Sequence, residues 1–517
     1  MTKGLLWLST SIWLLVAPPA LFLEAQDIQL IQPQKHYHYK LIDLGTFGGP
    51  GGLIPNPSFP VLNRHGALVG ASDTSFADPF DPNCFFDCYI DHGWVWRDGI
   101  LTDLGTLPGG ASSIPVSINA RGQVAGQSQN GAIDTLTGWP EARAVVWEHG
   151  ETIDLGTLGG TQSNAIANND HGVTVGGASN GVPDPFSERV IPNYCQPFGD
   201  TFAGDSIFYP SNTEVHAIRW TRRTGMEDLG TLGGPDSFAF AVNNRGQIGG
   251  MSFTSFVPNS SGAPTVNPFL WEDGKMTDLG GLGGTFGTAT LLNNRGDVIG
   301  CSNLLGDITT HPFIWTQTKG MRDLGTLGGT YGHPNWINDA GEVVGFATIA
   351  GDEHGHAFLW RHGLMKDLGT VGNDPDSESF GINSRGQVVG VSFILGGRDL
   401  HGFLWENGGT LVDLNTLVVP PSDFTVVSAI AINDRGEIGC VGRRPEDNRV
   451  RPCVLIPCDN AHIFVESCDF DLVDATTIVS KESASDKTPT DNGKVQVQFL
   501  GRLRHREHRT NNVSSRR

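Results

Sequence analysis

Two sets of polar side chains recur along this 517-residue chain at spacings that could support chemistry. His92, His216, His311, His356 and His401 occupy one place in a repeated phrase, and Asp43, Asp103, Asp154, Asp228, Asp278, Asp323, Asp367 and Asp413 each precede leucine. Imidazoles gathered at one point bind transition metals, and carboxylates beside loop carbonyls are hard ligands suited to calcium. The pattern argues against a shared metal. Arg143 and Arg451 stand where two sibling histidines would, and would repel a cation, and Asn267 replaces a third. Equivalent residues in successive units also lie too far apart for one coordination sphere. Each histidine is therefore expected to hydrogen-bond backbone within its own unit.

The aspartates are expected to accept N–H groups from the glycine-rich turn that follows them. There is no Gly-Gly-x-Gly-x-Asp nonapeptide and no EF-hand loop, so calcium stays open without positive support, and no cofactor is expected. Gly-x-Ser-x-Gly, His-Glu-x-x-His and the phosphate-binding Gly-Lys-Ser/Thr loop are likewise missing. An acid pair for glycoside chemistry is still open, because two loops of a ring can bring carboxylates together.

The elements that position these groups follow from the repeat. The Asp-Leu phrase recurs after 60, 51, 74, 50, 45, 44 and 46 residues, by subtraction of the positions above. A unit this short cannot bury its own apolar face and must stack on its neighbours. The most compact copy reads as four strands, at 335–338, 342–347, 356–360 and 364–368, joined by two glycine-closed hairpins. Asn three residues before Gly marks the first hairpin, from Asn63/Gly66 to Asn433/Gly436, and Trp96, Trp147, Trp220, Trp271, Trp315, Trp360 and Trp405 precede the second. Seven tryptophans in one repeat position imply packing between units rather than a ligand cage.

Four short strands per unit is the content of a propeller blade. The last unit lacks its Asp-Leu strand, whereas the first such strand, residues 39–44, has no unit of its own. The fold expected is all-β, a β-propeller of about eight four-stranded blades closed by the N-terminal strand completing the last blade. Seven blades is the alternative, and an open solenoid comes after it.

With 69 glycines, 30 prolines and 17% charged residues, the composition agrees with short strands and many turns. The formal charge of −21 argues against nucleic acid as a partner. Residues 1–25 read as a signal peptide, with Lys3 before an apolar run over 5–16 that is too short to span a membrane. The repeat occupies 38–458, followed at 459–517 by a cysteine-containing extension and a disordered basic tail with six arginines after residue 501. The chain is thus expected to be secreted or held at the cell surface. Eight cysteines then suggest disulfides, with Cys84–Cys88 and Cys458–Cys468 the two pairings proposed. Cys301 and Cys440 read as small buried fillers.

The phrases Asp323-Leu324-Gly325-Thr326-Leu327-Gly328-Gly329, Ile337-Asn338 and His356-Ala357-Phe358 resemble the HAF family of bacterial extracellular repeats. The resemblance covers residues 38–458 and implies export and a repeat fold, with no established chemistry. The triplet is literal only at His356; the siblings read His92-Gly93-Trp94, His216-Ala217-Ile218, His311-Pro312-Phe313 and His401-Gly402-Phe403.

In a repeat, function is sought where one unit departs from the others. The connection between second and third strands runs over 73–91 in the first unit and 180–215 in the third, but only 349–355 in the sixth. Both long connections hold an Asp-Pro-Phe, with Asp78 and Phe80 ahead of Phe85, Phe86 and Tyr89, and Asp184 and Phe186 ahead of Tyr194 and Phe198. Aromatics on loops suit a binding surface. The reading is a non-enzymatic binding or scaffold protein that recognises an envelope polysaccharide or another exported protein through these loops. The alternatives are a glycan-active hydrolase or lyase, using a loop carboxylate such as Asp184 or Asp205, and a structural spacer.

Overall fold

The computed structural model describes residues 35–55, 58–80, 88–186, 212–259, 262–394, 399–406, 408–446, 449–463 and 465–474. The expected signal peptide, Cys84, Phe85, Phe86, Tyr194, Phe198, Asp205 and the basic tail lie outside these residues.

The regular structure of the described chain is β-strand, apart from a single 3-10 turn at Leu414–Leu417. Its strands form five four-stranded antiparallel sheets, one twelve-stranded sheet that divides into three more such units, and one two-stranded pair. The first unit comprises Gly48–Leu53, Leu68–Ala77, Tyr89–Arg97 and Ile100–Asp103. The sixth comprises Gly328–Ile337, Val343–Ile349, Gly355–Arg361 and Leu364–Asp367, the order its sequence suggests, with the first strand reaching back into the glycine turn. Units four, five and six touch through single parallel bridges, Val266 with Phe286 and Thr310 with Tyr331.

The last unit is built from both ends of the chain. Thr425–Ile432, Ile438–Arg443 and Arg451–Pro457 are completed by Tyr39–Asp43, in register from Tyr39 opposite Pro457 to Asp43 opposite Cys453. A second pairing of the ends follows, Lys35–His36 with Val473–Asp474. Edge groups that an isolated three-stranded sheet would expose are thereby paired.

First strands of successive units pack on one another, and those at Ser113–Ile118 and Ser163–Asn168 are buried throughout. In units two to seven the second strand carries a glycine facing a bulge in the first. A Cβ at Gly176 would run into the main-chain oxygen of Asn164, which explains a residue type otherwise unfavourable in a strand.

The repeated asparagine of the first hairpin has two jobs. In unit two, Asn119 Oδ1 accepts the N–H groups of Arg121 and Gln123, closing its own turn. Its Nδ2 donates to the main-chain oxygen of Asn169 in unit three at 2.8 Å. The same outward bond runs from Asn63 to Asn119, Asn169 to Asn243, Asn243 to Asn293, Asn293 to Asn338, Asn338 to Asn383, Asn383 to Asn433 and Asn433 back to Asn63, all between 2.8 and 3.1 Å.

A second, partial circuit lies beside it. The N–H groups of Ala120, Asp170, Asn244, Asn294 and Ser384 donate to Asp170, Asn244, Asn294, Asp339 and Asp434 of the following unit. The steps that lack such a bond are those where the next unit offers Ala120, Ser384 or Arg64 instead of an Asn or Asp side chain.

The tryptophans before the second hairpin pack between units. Arg219, Arg322 and Lys366 place their charges 5.8, 5.3 and 4.8 Å from the rings of Trp271, Trp360 and Trp405 in the unit that follows.

Two cysteine expectations need correction. Cys440 bonds Cys453, directly opposite on the neighbouring strand, and Cys301 is also disulfide-bonded, so neither is a simple filler. The Cys458–Cys468 bridge is present, and Cys88 is disulfide-bonded. No helix among the described residues is long and apolar enough to cross a membrane.

Candidate functional site

The glycine turn that enters each unit lies against the start of that unit's long connection. Phe47 N–H donates to Asp73 O, Leu158 N–H to Ser179 O and Gly234 N–H to Phe253 O. Glycine turns and second-to-third connections therefore share one end of the strands, the loop face. The asparagine and tryptophan hairpins share the other.

The repeated aspartates belong to the loop face and have defined partners. Asp103 Oδ1 accepts Gly105 N–H at 2.7 Å, and the same i+2 bond is made by Asp43, Asp154, Asp228, Asp278, Asp323, Asp367 and Asp413. Histidine takes the remaining capacity. His92, His216, His311 and His356 bring Nδ1 to within 2.8–2.9 Å of Asp103, Asp228, Asp323 and Asp367, while Asn267 Nδ2 donates to Asp278 at 3.0 Å. The leading partner is therefore a carboxylate across the same antiparallel pair, in a charge-assisted bond, rather than the backbone alone; His92 and His356 also hydrogen-bond the main chain at Ala111 and Pro375. His401 departs from the set and pairs with Asp374. Among the described residues no group of three His, Cys, Asp or Glu side chains is placed to hold a metal ion.

The loop aspartates Asp78, Asp134 and Asp184 are equivalent, each following the second strand of units one to three. Each accepts the N–H two residues on, from Phe80, Leu136 and Phe186, at 2.8 Å. They shape the entry to the loops. Of the aromatics singled out from sequence, Phe80 is half-buried, Phe186 packs 6.3 Å from Phe253, and Tyr89 lies beneath the Arg449 guanidinium at 5.5 Å. The described members are thus dispersed over two units rather than gathered in one patch.

Two acidic clusters not foreseen from sequence accompany these loops. In unit one Asp73 and Asp91 face each other across paired strands, both buried. The sibling pairs are Gln129 with Ala142, Ser179 with Val215 and Phe253 with Val266, so the double carboxyl is peculiar to this unit. Burial pushes both carboxyls up, Asp91 well above the usual range and further so because of Asp73.

At the seam of units three and four, Asp236 lines a small cavity with Met251, Phe253 and Val266. Its Oδ1 accepts Val215 N–H at 2.8 Å. Burial, with Asp184 and Glu214 nearby, raises its pKa to about 7. Asp184 is raised by burial and by Glu214. A carboxyl raised to about 7 can take up or give a proton under ordinary conditions. The signal for this cluster lay in unit-to-unit alignment, where Asp236 replaces Gln162 and His216 replaces Arg143.

The loop face also carries most of the exposed apolar side chains. Phe76, Leu136, Val182, Phe256, Val257, Leu305, Ile308 and Ile394 all belong to the second-to-third connections or the strand ends leading into them. Leu305 and Ile308 are 87% and 88% exposed. On the hairpin face, only Ile100 and Leu364 are comparable among the described residues of the second hairpins.

No protein-family model matches the chain, and no curated protein does. Solved structures similar to it include the β-propeller domain of the Trilobed protease from Pyrococcus furiosus, at TM-score 0.38 and 12% identity over 73% of this chain and 95% of that one. The acylaminoacyl peptidase of Pyrococcus horikoshii follows at TM-score 0.36 and 12% identity, over 77% of this chain and 58% of that one. An ulvan lyase, described as a polysaccharide lyase, aligns at TM-score 0.26 and 9% identity over 78% of each chain.

Proposed function

We propose that this is an exported, eight-bladed propeller of HAF-type repeats, closed by its N-terminal strand, that binds an envelope polysaccharide or another exported protein through its loop face. The returning asparagine circuit supports the ring, and the disulfides suit an oxidising compartment. The observation that carries the binding function is the concentration of exposed apolar side chains on the loop connections. Single exposures scattered over a whole surface are ordinary, whereas their concentration at one end of the strands suits an interaction surface.

Glycan and envelope-fraction binding by the full chain, beside a variant with residues 180–215 shortened to the sixth-unit length, tests this reading. Binding lost in a folded variant supports it. Undiminished binding moves recognition elsewhere.

A second reading, a glycan-active hydrolase or lyase, draws on Asp236, whose neutral-range titration suits a general acid. Turnover of a bound glycan abolished by Asp236→Asn would favour it, while binding without turnover would not.

A further inference from the structure

The two ends of the described chain meet on the hairpin face. Lys35–His36 pairs with Val473–Asp474, and Cys458 N–H donates to His38 O at 2.8 Å. The residues leading into the closing strand Tyr39–Asp43 therefore lie beside those that follow the last strand. Two carboxylates beneath them belong to hairpins of that face. Glu406 follows Trp405 in unit seven, and Glu437 follows the Asn433 turn of unit eight.

Among the described residues, every ion pair made by these end segments joins histidine to a carboxylate. His36 Nδ1 lies 2.8 Å from Glu406 Oε1, and His38 Nε2 lies 3.7 Å from Asp469. His462 is engaged twice, with Nδ1 2.6 Å from Asp459 Oδ1 and Nε2 3.3 Å from Glu437 Oε1. No other described histidine has a carboxylate within hydrogen-bond distance of each ring nitrogen.

That arrangement fixes the charge of the ring. Ionised carboxylates only accept, and a neutral imidazole has a single N–H, so both bonds are made only by the protonated form. His462 is buried. Burial alone would lower its pKa, but the bonds to Glu437 and Asp459 outweigh burial and raise it. Burial would raise Glu437, yet the bonds from His462 and Asn433, with the Arg435 charge 3.2 Å away, hold it below the usual carboxylate range.

Glu437 also connects the ring to the seam. Its Oε2 accepts Asn433 Nδ2 at 2.6 Å, and the same Nδ2 donates to Asn63 O in unit one. At the other anchor, Glu406 accepts Gln387 Nε2 at 2.7 Å, with Arg385 and the buried Tyr39 as its further charged or titratable neighbours.

We propose that the paired end segments form a pH-operated clasp over the seam between the last and first units, closed while the His462 ring is protonated and loosened when it loses that proton. The clasp stands apart from the loop-face reading, at the opposite end of the strands. The contribution of His462 is present below the ordinary histidine value and is lost as pH rises through the raised one. That of Glu437 is present above the ordinary carboxylate value and is lost as pH falls through the lowered one. The clasp is thus tightest in the mildly acidic range between them. Arg435 keeps its charge throughout, so Glu437 retains a partner when the imidazole is neutral, and the opening is local. The Cys458–Cys468 bridge keeps the C-terminal turn together as it moves.

Hydrogen exchange of the full chain from about pH 6 to about pH 8.5, each rate divided by its intrinsic value, tests the clasp. Protection of the Cys458 and His462 amides should fall at least about threefold, with a smaller fall through Tyr39–Asp43 and none at Ser113–Ile118 in unit two. His462→Gln should remove the transition. Asp459→Asn takes away one of the two carboxylates without touching the ring of units, and should move the midpoint to lower pH. Should His462→Gln fail to fold, as lost protection at Ser113–Ile118 would show, the Asp459→Asn midpoint decides. Unchanging protection in the wild-type chain, an equal fall in all three regions, the same transition in folded His462→Gln, or an unmoved midpoint in Asp459→Asn overturns the clasp.

Discussion

Asn433 donates from Nδ2 to the main-chain oxygen of Asn63, 3.1 Å away in space and 370 residues earlier in the chain. The same side chain accepts Arg435 N–H and Glu437 N–H within its own hairpin. One residue type therefore closes a local turn and joins the last unit to the first.

Asn433→Ala should cost about 1–3 kcal/mol in urea denaturation, since buried main-chain groups lose their partners. Asn433→Asp should cost more. It keeps the acceptor but removes the donor, and it sets a second carboxylate against Glu437 Oε2, which lies 2.6 Å from Asn433 Nδ2. A loss below about 0.5 kcal/mol in Asn433→Asp, which keeps the turn acceptor, would argue against the bond between units.

The facing pair Asp73 and Asp91 predicts a pH dependence with a definite sign. Burial, and for Asp91 the neighbouring Asp73, make the folded chain hold these protons more tightly than the unfolded chain. Stability should fall as pH rises from the ordinary carboxylate range, near about 4, toward the raised values. Asp184 and Asp236 act in the same direction. Asp91→Asn should therefore raise stability at about pH 8, by roughly 1 kcal/mol or more, and flatten the profile. Unfolding midpoints at both ends of the range check this.

The His356–Asp367 pair should stabilise over a limited window. Its hydrogen bond to Asp367 raises His356. Burial opposes ionisation of Asp367, but bonds from His356 and Gly369 hold it below the usual range. The aspartate's contribution is present above the ordinary carboxylate value and disappears as pH falls through the lowered one. The histidine's contribution is present below its ordinary value and disappears as pH rises through the raised one. A double-mutant cycle with His356→Ala and Asp367→Asn should give a coupling of about 0.5–1 kcal/mol at about pH 6, weakening as pH rises through the raised imidazole value.

Those parts of the fold that depend on local chemistry were readable before the structure. Asn338 and Gly341 mark a hairpin because few other residues fit one, and the Asp367-Leu368-Gly369 phrase recurs for the same reason. The match of residues 39–44 to the missing last strand of unit eight was also legible, as an unfilled place in a repeat. Side-chain partnerships across strands were not. Cys440 and Cys453 are 13 residues apart and look unrelated until antiparallel pairing sets them opposite.

The histidines illustrate the same limit. Their carboxylate partners stand 11 or 12 residues downstream, a regular spacing whose meaning depends on strand register. In the candidate site, loop aromatics stood out by type. The carboxyl cluster around Asp236 did not, because it joins side chains from two units, and only the contrast with Gln162 and Arg143 exposes it.

The most direct test of the account compares the two faces. A full chain carrying Phe256→Ser, Val257→Ser, Leu305→Ser and Ile308→Ser should lose binding to isolated envelope polysaccharide or envelope protein by at least about tenfold, because exposed apolar area is removed only where contact is made. A chain carrying Ile100→Ser and Leu364→Ser on the hairpin face should bind as the parent does. Equal binding by all three proteins, loss confined to the hairpin-face variant, or no binding by the parent would contradict recognition through the loop face.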